Sequence, residues 1–523
     1  MKQKRVVKVT AAVKRVATGV ALPKHLFDEL RNRVTKNKSA MPLNSDPNWK
    51  SKHAWCMVPR ETPPKRSAVE RVADFLEIYS TYDEATARAQ ASRCIQCPEP
   101  LCRTGCPLAN RIPEWLALTA EGHFLEAAAI SCATSNMPEL CSRVCPQERL
   151  CEGACILNSK SEPVSIGAVE RFINEYAFNH EAMNATPAAP NGFSAGVIGS
   201  GPGGMACADE LAKLGYAVTI FEAQGLPGGL LVNGIPAFKL EKTIVARRMD
   251  ILRKRGVKFR LGVKVGWDLS LGALRREFDA VFLGIGAQQA KPLDVPGADL
   301  QGIHQGLPFL IQKNVDLPTD FPPIEVQGKR VVVLGGGDTA MDCLRTAVRC
   351  GAIESICLYR RDLENMPGSR KEYANALEEG AKFQFLTNPI ALLGDDSGHV
   401  RKVRCQRMEL GASDASGRRK PRAVAGSEFE LAADLVLVAY GFDPVPFPPE
   451  SDLGQVAVND WGAVVVDGNQ MTSVPGVFAG GDLVRGPSLV VHAVRDGRKA
   501  AAAIHRFLSS QPKAVRRDAS VLK

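Results

Sequence analysis

No apolar run in this chain of 523 residues approaches the roughly eighteen residues that a membrane-spanning helix needs, so a helical membrane protein is excluded. Aromatic residues are scarce, at 6%, while apolar residues reach 45%, the balance of an ordinary globular protein. Residues 1–24 contain no acidic side chain, and they lack the compact apolar centre and small-residue cleavage site of a secretory signal. Without such a signal, fifteen cysteines point to a reducing compartment, and the cytoplasm is expected. Nor is there a generally basic body of the kind that binds nucleic acid. Residues 1–38 hold eleven Lys or Arg against Asp28 and Glu29, a local excess of nine, and the whole chain carries only +10. The charge belongs to the tail, read as a solvated or partner-docking extension, with an organelle transit peptide as the alternative.

What is present is a ladder of cysteines. Cys94, Cys97, Cys102 and Cys106 form one group, and Cys141, Cys145, Cys151 and Cys155 form another. Thiolates with two to five residues between them can converge on a soft metal centre, and proline directly after Cys97, Cys106 and Cys145 stops the chain and fixes a turn. Two 4Fe–4S clusters are the leading reading. A pair of four-cysteine zinc sites is the alternative, disfavoured because two nucleotide-binding fingerprints follow and zinc carries no electron.

Upstream, 41–66 is a Pro-rich bridge, and 67–93 is expected to be one helix with Val69, Val72, Phe75 and Ile78 on a face. A further helix is expected near 113–132, and an Ala/Pro-rich linker follows at 185–191. From Phe193 the pattern turns to strand, glycine turn, helix and strand, and the same unit begins again near 330. Two such units imply two related dinucleotide-binding domains.

The first turn satisfies G-x-G-x-x-G with Gly199, Gly201 and Gly204, interleaved with Ser200, Pro202 and Gly203. Such glycines make the tight turn, admit a pyrophosphate and let helix pack on strand, while the helix N-terminus faces the phosphate. Glu222 closes the next strand, where a carboxylate can hold ribose hydroxyls. The second turn runs Gly335, Gly337, Asp338, Thr339, Ala340, and its following strand ends in Arg360-Arg361 rather than an acid. Two guanidiniums there favour a 2′-phosphate, hence NADPH over NADH. A third element, Gly480-Gly481-Asp482, precedes a helix expected from about Ser488, whose positive end would face a flavin.

Together these motifs resemble the small (β) subunit of NADPH-dependent glutamate synthase over roughly residues 65–510. The resemblance adds Gly228-Gly229-Leu230, Gly234 to Lys239, Met366 to Glu372 including Arg370, and Gly486 to Ala493 including Ser488. It is similar as well to the electron-input part of dihydropyrimidine dehydrogenase. It implies an α/β fold of the flavin disulfide reductase type, with two Rossmann-like domains behind an all-α iron–sulfur domain. The expected division is 1–66 extension and bridge, 67–185 helical cluster domain, 193–326 and 440–510 the two parts of an FAD domain, 327–439 an inserted NADPH domain, and 511–523 a tail. Ala439, Tyr440 and Gly441 are included in the cofactor set.

If the dehydrogenase's interlaced ligation carries over, Cys94, Cys97, Cys102 and Cys155 hold one cluster, and Cys106, Cys145 and Cys151 hold the other. The position matching its last ligand is Glu170, and whether Cys141 or Glu170 completes that second set stays open. The implied cofactors are FAD, NADPH and two 4Fe–4S clusters. The implied partner is a large (α) subunit carrying FMN and glutaminase, in a hetero-oligomer without nucleic acid or membrane span. No side-chain acid or base is expected, because hydride passes between bound cofactors. A flavin disulfide reductase proper is disfavoured, since Cys207, Cys343, Cys350 and Cys357 offer no C-x-x-C pair. Rival readings are a pyrimidine- or ferredoxin-linked oxidoreductase subunit and a zinc-stabilised, cofactor-sensing interaction protein. Metal analysis of anaerobically purified protein should return iron with acid-labile sulfide; zinc in their place would overturn the cluster reading.

Overall fold

The computed structural model describes residues 54–510 except 184, 317–320, 414–416, 418, 445–446 and 448–449. The basic tail, the first part of the Pro-rich bridge (41–53) and residues 511–523 therefore lie outside the described residues. Among the described residues no helix is long and apolar enough to cross a membrane.

The N-terminal part is helical, but its helices are shorter than the apolar spacing suggested. The expected helix over 67–93 is instead one capped turn, Ala68–Arg71, an irregular stretch, and the helix Glu84–Ser92. Ser67 and Glu70 form a reciprocal capping box, and Asp83 caps the second helix through the Thr86 amide. Val69 is 82% exposed, so the predicted apolar face does not exist. The helix expected near 113–132 is likewise two, Ile112–Glu121 and Phe124–Thr134, because Gly122 ends the first in a left-handed conformation at φ +86°. Both pack with Ile166–Asn179 around Trp115, Leu116, Phe124, Phe172 and Ile173.

The first parallel sheet runs Val477–Ala479, Ala280–Leu283, Ser194–Ile198, Ala217–Glu222, Lys258–Leu261. Val477–Ala479, from near the end of the chain, pairs in parallel with Ala280–Leu283, so this sheet takes strands from both sides of the second one in sequence. Helices Pro202–Lys213 and Val490–Ser509 cross one face at close range: a Cβ on Gly497 would stand 2.1 Å from the Gly203 carbonyl oxygen.

The second parallel sheet runs Ile303–Gln305, Leu435–Val438, Arg330–Leu334, Glu354–Tyr359, Lys382–Phe385. Its edge strand Ile303–Gln305 and the helix Gly306–Asn314, whose Phe309 and Leu310 join that core, precede the expected boundary at 326/327. The chain crosses between the domains on the two-stranded ribbon Gln289–Ala290 and Phe442–Asp443. The boundary read from glycines was late because the edge strand carries no fingerprint. A three-stranded antiparallel sheet, Thr387–Gly394, Val400–Ser413 and Arg419–Ala432, covers the other face through Leu392, Val400, Val403 and Cys405.

The N-terminal strap also docks on this second domain. Arg71, fully buried, donates to Glu379 at 2.8 Å, to Glu378 at 2.8 Å and to the Asn375 carbonyl at 3.2 Å. Removing one partner of such a buried network costs about 3 kcal/mol, because the remaining charges lose compensation. Arg71→Ala should therefore lower the first thermal unfolding transition by several degrees, measured calorimetrically on holoprotein.

Candidate cofactor and cluster sites

Cys94, Cys97, Cys102 and Cys155 line one cavity, walled by Ile95, Leu101, Leu116 and Ile166. Cys106, Cys141, Cys145, Cys151 and Glu170 line a second, whose wall includes Ile166 again and Val491 of the C-terminal helix. Cys155 thus returns to the first group although it is the last in sequence. Burial pushes the Cys94 and Cys102 thiols up to about 12 and Cys106 up to about 11. Such thiols are inert until a metal displaces their protons. Each set rings a space, the arrangement that a cube of iron and sulfide requires. The donor sets fit two 4Fe–4S clusters.

Glu170 accepts from Asn110 Nδ2 at 2.7 Å and Ser131 Oγ at 2.9 Å, and Asn110 is itself fixed by Trp115 Nε1 at 3.2 Å. Burial pushes its carboxyl up to about 7, although Ser131 and Asn110 both act to lower it. Cys141 is buried in the core of the first sheet's domain, and its carbonyl accepts the Cys145 amide at 3.0 Å. Both candidates for the last ligand therefore line the same cavity.

The two glycine turns are built alike. Gly199 and Gly335 stand at φ +93° and +133°, where a side chain would strike the carbonyl oxygens of Gly284 and Ala439. A Cβ on Gly201 or Gly337 would meet nothing within 4 Å, the open space a pyrophosphate needs. In the first turn Ser200 binds Glu222 through both its amide and hydroxyl, and the Gly228 amide donates to Ser200 Oγ at 2.8 Å. Glu222 also accepts from the Gln224 amide at 2.9 Å. Three of its roughly four lone-pair positions are thus used, leaving one for a ribose hydroxyl. Gly229 lies against Gly201, and Leu230 beside it is 46% exposed.

Asp482 opens a short helix, and burial pushes its carboxyl up to about 7. Asp496, which sequence reasoning missed, holds that turn: it accepts from the Gly481 amide at 3.1 Å and from Arg485 at 2.6 and 2.8 Å. Ser488 Oγ pairs with His492 Nδ1 at 2.6 Å just ahead of Val490–Ser509.

In the second domain the Arg360-Arg361 pair divides. Arg361 is buried and donates from Nε to the Arg419 carbonyl at 2.8 Å, whereas Arg360 is exposed. Arg360 is close enough to influence Tyr440, which follows Ala439 and precedes Gly441 at φ +95°. Asp338 accepts from the Ser369 amide at 3.0 Å, and Thr339 and Ala340 follow it in the helix Asp338–Arg349. Arg370 Nη2 donates to the Glu364 carbonyl at 3.1 Å.

Lys239 projects from the first domain into the second, 2.8 Å from Asp342 and 3.8 Å from Glu372. Burial acts to lower its pKa, but Asp342, Glu372 and Asp338 together outweigh it and keep Lys239 charged. Asp342 carried no signal of its own in the sequence beyond following the second fingerprint.

Residues 71–182 match the family described as dihydropyrimidine dehydrogenase domain II, 4Fe-4S cluster, and residues 193–497 match pyridine nucleotide-disulphide oxidoreductase. The glutamate synthase [NADPH] small chain of Azospirillum brasilense is 46% identical over 86% of this chain and 95% of its own length. That of Escherichia coli is 45% identical over 86% and 97%. The chain belongs to the glutamate synthase small-chain family. It is an oxidoreductase with an iron–sulfur domain ahead of a pyridine-nucleotide domain. A putative oxidoreductase, AegA, of Escherichia coli is 44% identical over 86% of this chain but 70% of its own length. Among solved structures, FprA of Mycobacterium tuberculosis in complex with NADPH shares the fold, with a TM-score of 0.53 and 22% identity over 62% of this chain and 87% of that one.

All fifteen cysteines are free, and Cys207, Cys343, Cys357 and Cys405 are buried as apolar filling. Within this small-chain family member, Cys106→Ala should lose about half of the bound iron, because one of two clusters loses a ligand. Cys207→Ala should keep it all, iron and sulfide being assayed per flavin.

Proposed function

We propose that the chain is the electron-input subunit of a glutamate synthase. It oxidises NADPH with FAD and supplies electrons to a large subunit, carrying FMN and glutaminase, that reduces 2-iminoglutarate to L-glutamate. The observation that carries this reading is the cavity of Cys106, Cys145 and Cys151 reaching Val491, at the start of the helix that follows Asp482 and Ser488. When bound, FAD accepts two electrons as hydride and releases them singly, and 4Fe–4S clusters carry them one at a time.

The chain's own residues supply binding and orientation. Gly199 to Gly204, with the N-terminus of Pro202–Lys213, receive the FAD pyrophosphate, and Glu222 takes a ribose hydroxyl. Asp482 and Ser488 face the flavin end, and the N-terminus of the twenty-residue helix Val490–Ser509 favours negative charge there. Gly335, Gly337 and the N-terminus of Asp338–Arg349 receive the NADPH pyrophosphate. Arg360, the exposed member of its pair, takes the 2′-phosphate, while Arg361 braces the strand end. The three sulfurs of the second set are completed by Cys141 or Glu170. The complex is a hetero-oligomer of the cytoplasm.

The second reading keeps the module and changes the partner. AegA contains a homologous stretch within a longer chain, which favours a shared input unit serving other reductions. Anaerobic capture of the native protein decides. A large glutaminase-bearing partner with NADPH oxidation dependent on glutamine and 2-oxoglutarate supports the first reading, and a pyrimidine- or ferredoxin-linked partner supports the second. Independently, Arg360→Ala should raise the Michaelis constant for NADPH roughly tenfold or more while leaving that for NADH within about twofold. Equal losses for both nucleotides would overturn the 2′-phosphate role.

A further inference from the structure

The loop between Cys145 and Cys151 does more than carry two sulfurs. Its centre, Gln147–Arg149, is a single tight turn in which the Gln147 carbonyl accepts the amides of Leu150, Glu152 and Gly153, each at 3.0 Å. The Gln147 side chain is pinned to the Ser142 carbonyl at 2.8 Å, and a Cβ on Gly153 would stand 2.2 Å from the Glu148 carbonyl oxygen. The loop is therefore rigid, and it presents Glu148 and Arg149 away from the second cysteine cavity.

Those two side chains meet the second dinucleotide domain. Glu148 Oε1 accepts from Ser369 Oγ at 2.8 Å and from the Arg370 amide at 3.1 Å, and Arg149 Nη1 donates to the Pro367 carbonyl at 2.6 Å. The segment they hold, Pro367 to Arg370, lies directly over the second glycine turn. The Gly368 amide donates to the Gly336 carbonyl at 2.9 Å, and the Ser369 amide donates to Asp338 Oδ1 at 3.0 Å. Two successive amides of this segment thus bind the turn, while its other side binds the loop of the second cysteine set.

We infer that Glu148, with Arg149, is a positioning residue for the pyridine-nucleotide site, holding the Pro367–Arg370 segment over the Gly335–Ala340 turn from the cluster domain. The inference rests on the reading of that turn as the NADPH site. Glu148 Oε1 makes its two bonds to Ser369 and Arg370. It acts through Ser369 and Arg370, whose backbone orients Asp338 at the helix start where the pyrophosphate is received. An acceptor oxygen is what the geometry requires, since both bonds reach Oε1, so an amide side chain can take the place of the carboxylate.

The test is equilibrium binding of NADP+ to anaerobic holoprotein, followed by the change in flavin absorbance. Glu148→Ala should weaken NADP+ roughly tenfold, the scale of losing two hydrogen bonds of ordinary net strength. Glu148→Gln should stay within about twofold of the unmodified protein. Ser369→Ala removes one of the same bonds from the other side and should give a smaller shift in the same direction, which keeps the test available if Glu148→Ala sheds iron. Unchanged affinity in both Ala variants would overturn the positioning role and leave the NADPH reading standing, as would a Gln variant as weak as the Ala variant. An unmodified holoprotein that binds neither NADP+ nor NAD+ would overturn the NADPH reading and this inference with it.

Discussion

The structure depends on one wedge: the helix Pro138–Val144 driven between the cluster domain and the first dinucleotide domain. Met137, Leu140 and Cys141 are counted in that dinucleotide domain's own core, beside Met205, Val245 and Val491. At the wedge's edge Glu139 and Arg248, both buried, meet through two bonds of 2.7 and 2.8 Å. A buried ion pair adds little net stability, because desolvation offsets its attraction. What it does impose is register: an apolar helix alone could slide along the groove, but a carboxylate that must meet a guanidinium fork cannot. Asn136 fixes the same edge by donating to Asp209 at 2.6 Å and accepting from Arg498 at 2.8 Å. Register here sets how the second cysteine cavity meets the helix Val490–Ser509, whose Val491 lines it.

The second dinucleotide domain is held differently. Its covalent connection to the first is a two-stranded ribbon of four residues, Gln289–Ala290 and Phe442–Asp443, which by itself would permit rotation. Contacts from three further segments oppose it. The strap brings Arg71 to Glu379, the first domain brings Lys239 to Asp342, and the cluster loop brings Glu148 to Ser369. Arg345 and Arg349 converge on Glu379 as well, with Arg345 and Arg349 stacked over Phe238 at 4.3 and 4.0 Å. Most of these contacts involve a charged side chain, and they come from three separate segments, so directional bonds orient the domain.

How much of this was legible in the sequence follows from how local each signal was. The glycine turns read directly, because positive φ at Gly199 and close packing at Gly204 leave no alternative residue. The strand Arg330–Leu334 was legible to the residue, since a buried parallel strand is a continuous apolar run. The helices of the cluster domain were overextended because apolar spacing continues through Gly122 and through the 72–83 stretch, where the strap packs without being helical. Ile303–Gln305 was missed because three residues at a sheet edge carry no period. The parting of Arg360 from Arg361 was illegible for a different reason. Position in the sequence places both guanidiniums at the strand end, but alternation turns one toward Arg419 and the other outward.

Long-range polar partners were the least legible of all. Glu148 and Ser369 are 221 positions apart, and neither belongs to a motif that would suggest the other. Such contacts arise only after three domains have docked, so their specificity is a property of the assembly and not of any segment. That has a consequence for how the chain tolerates change. A substitution in a glycine turn is rejected by its own backbone, whereas a substitution at Glu148, Arg71 or Lys239 acts on how the domains are held against one another. In a protein whose work is done by cofactors at fixed separations, the residues that orient domains carry as much of the function as those that touch the cofactors.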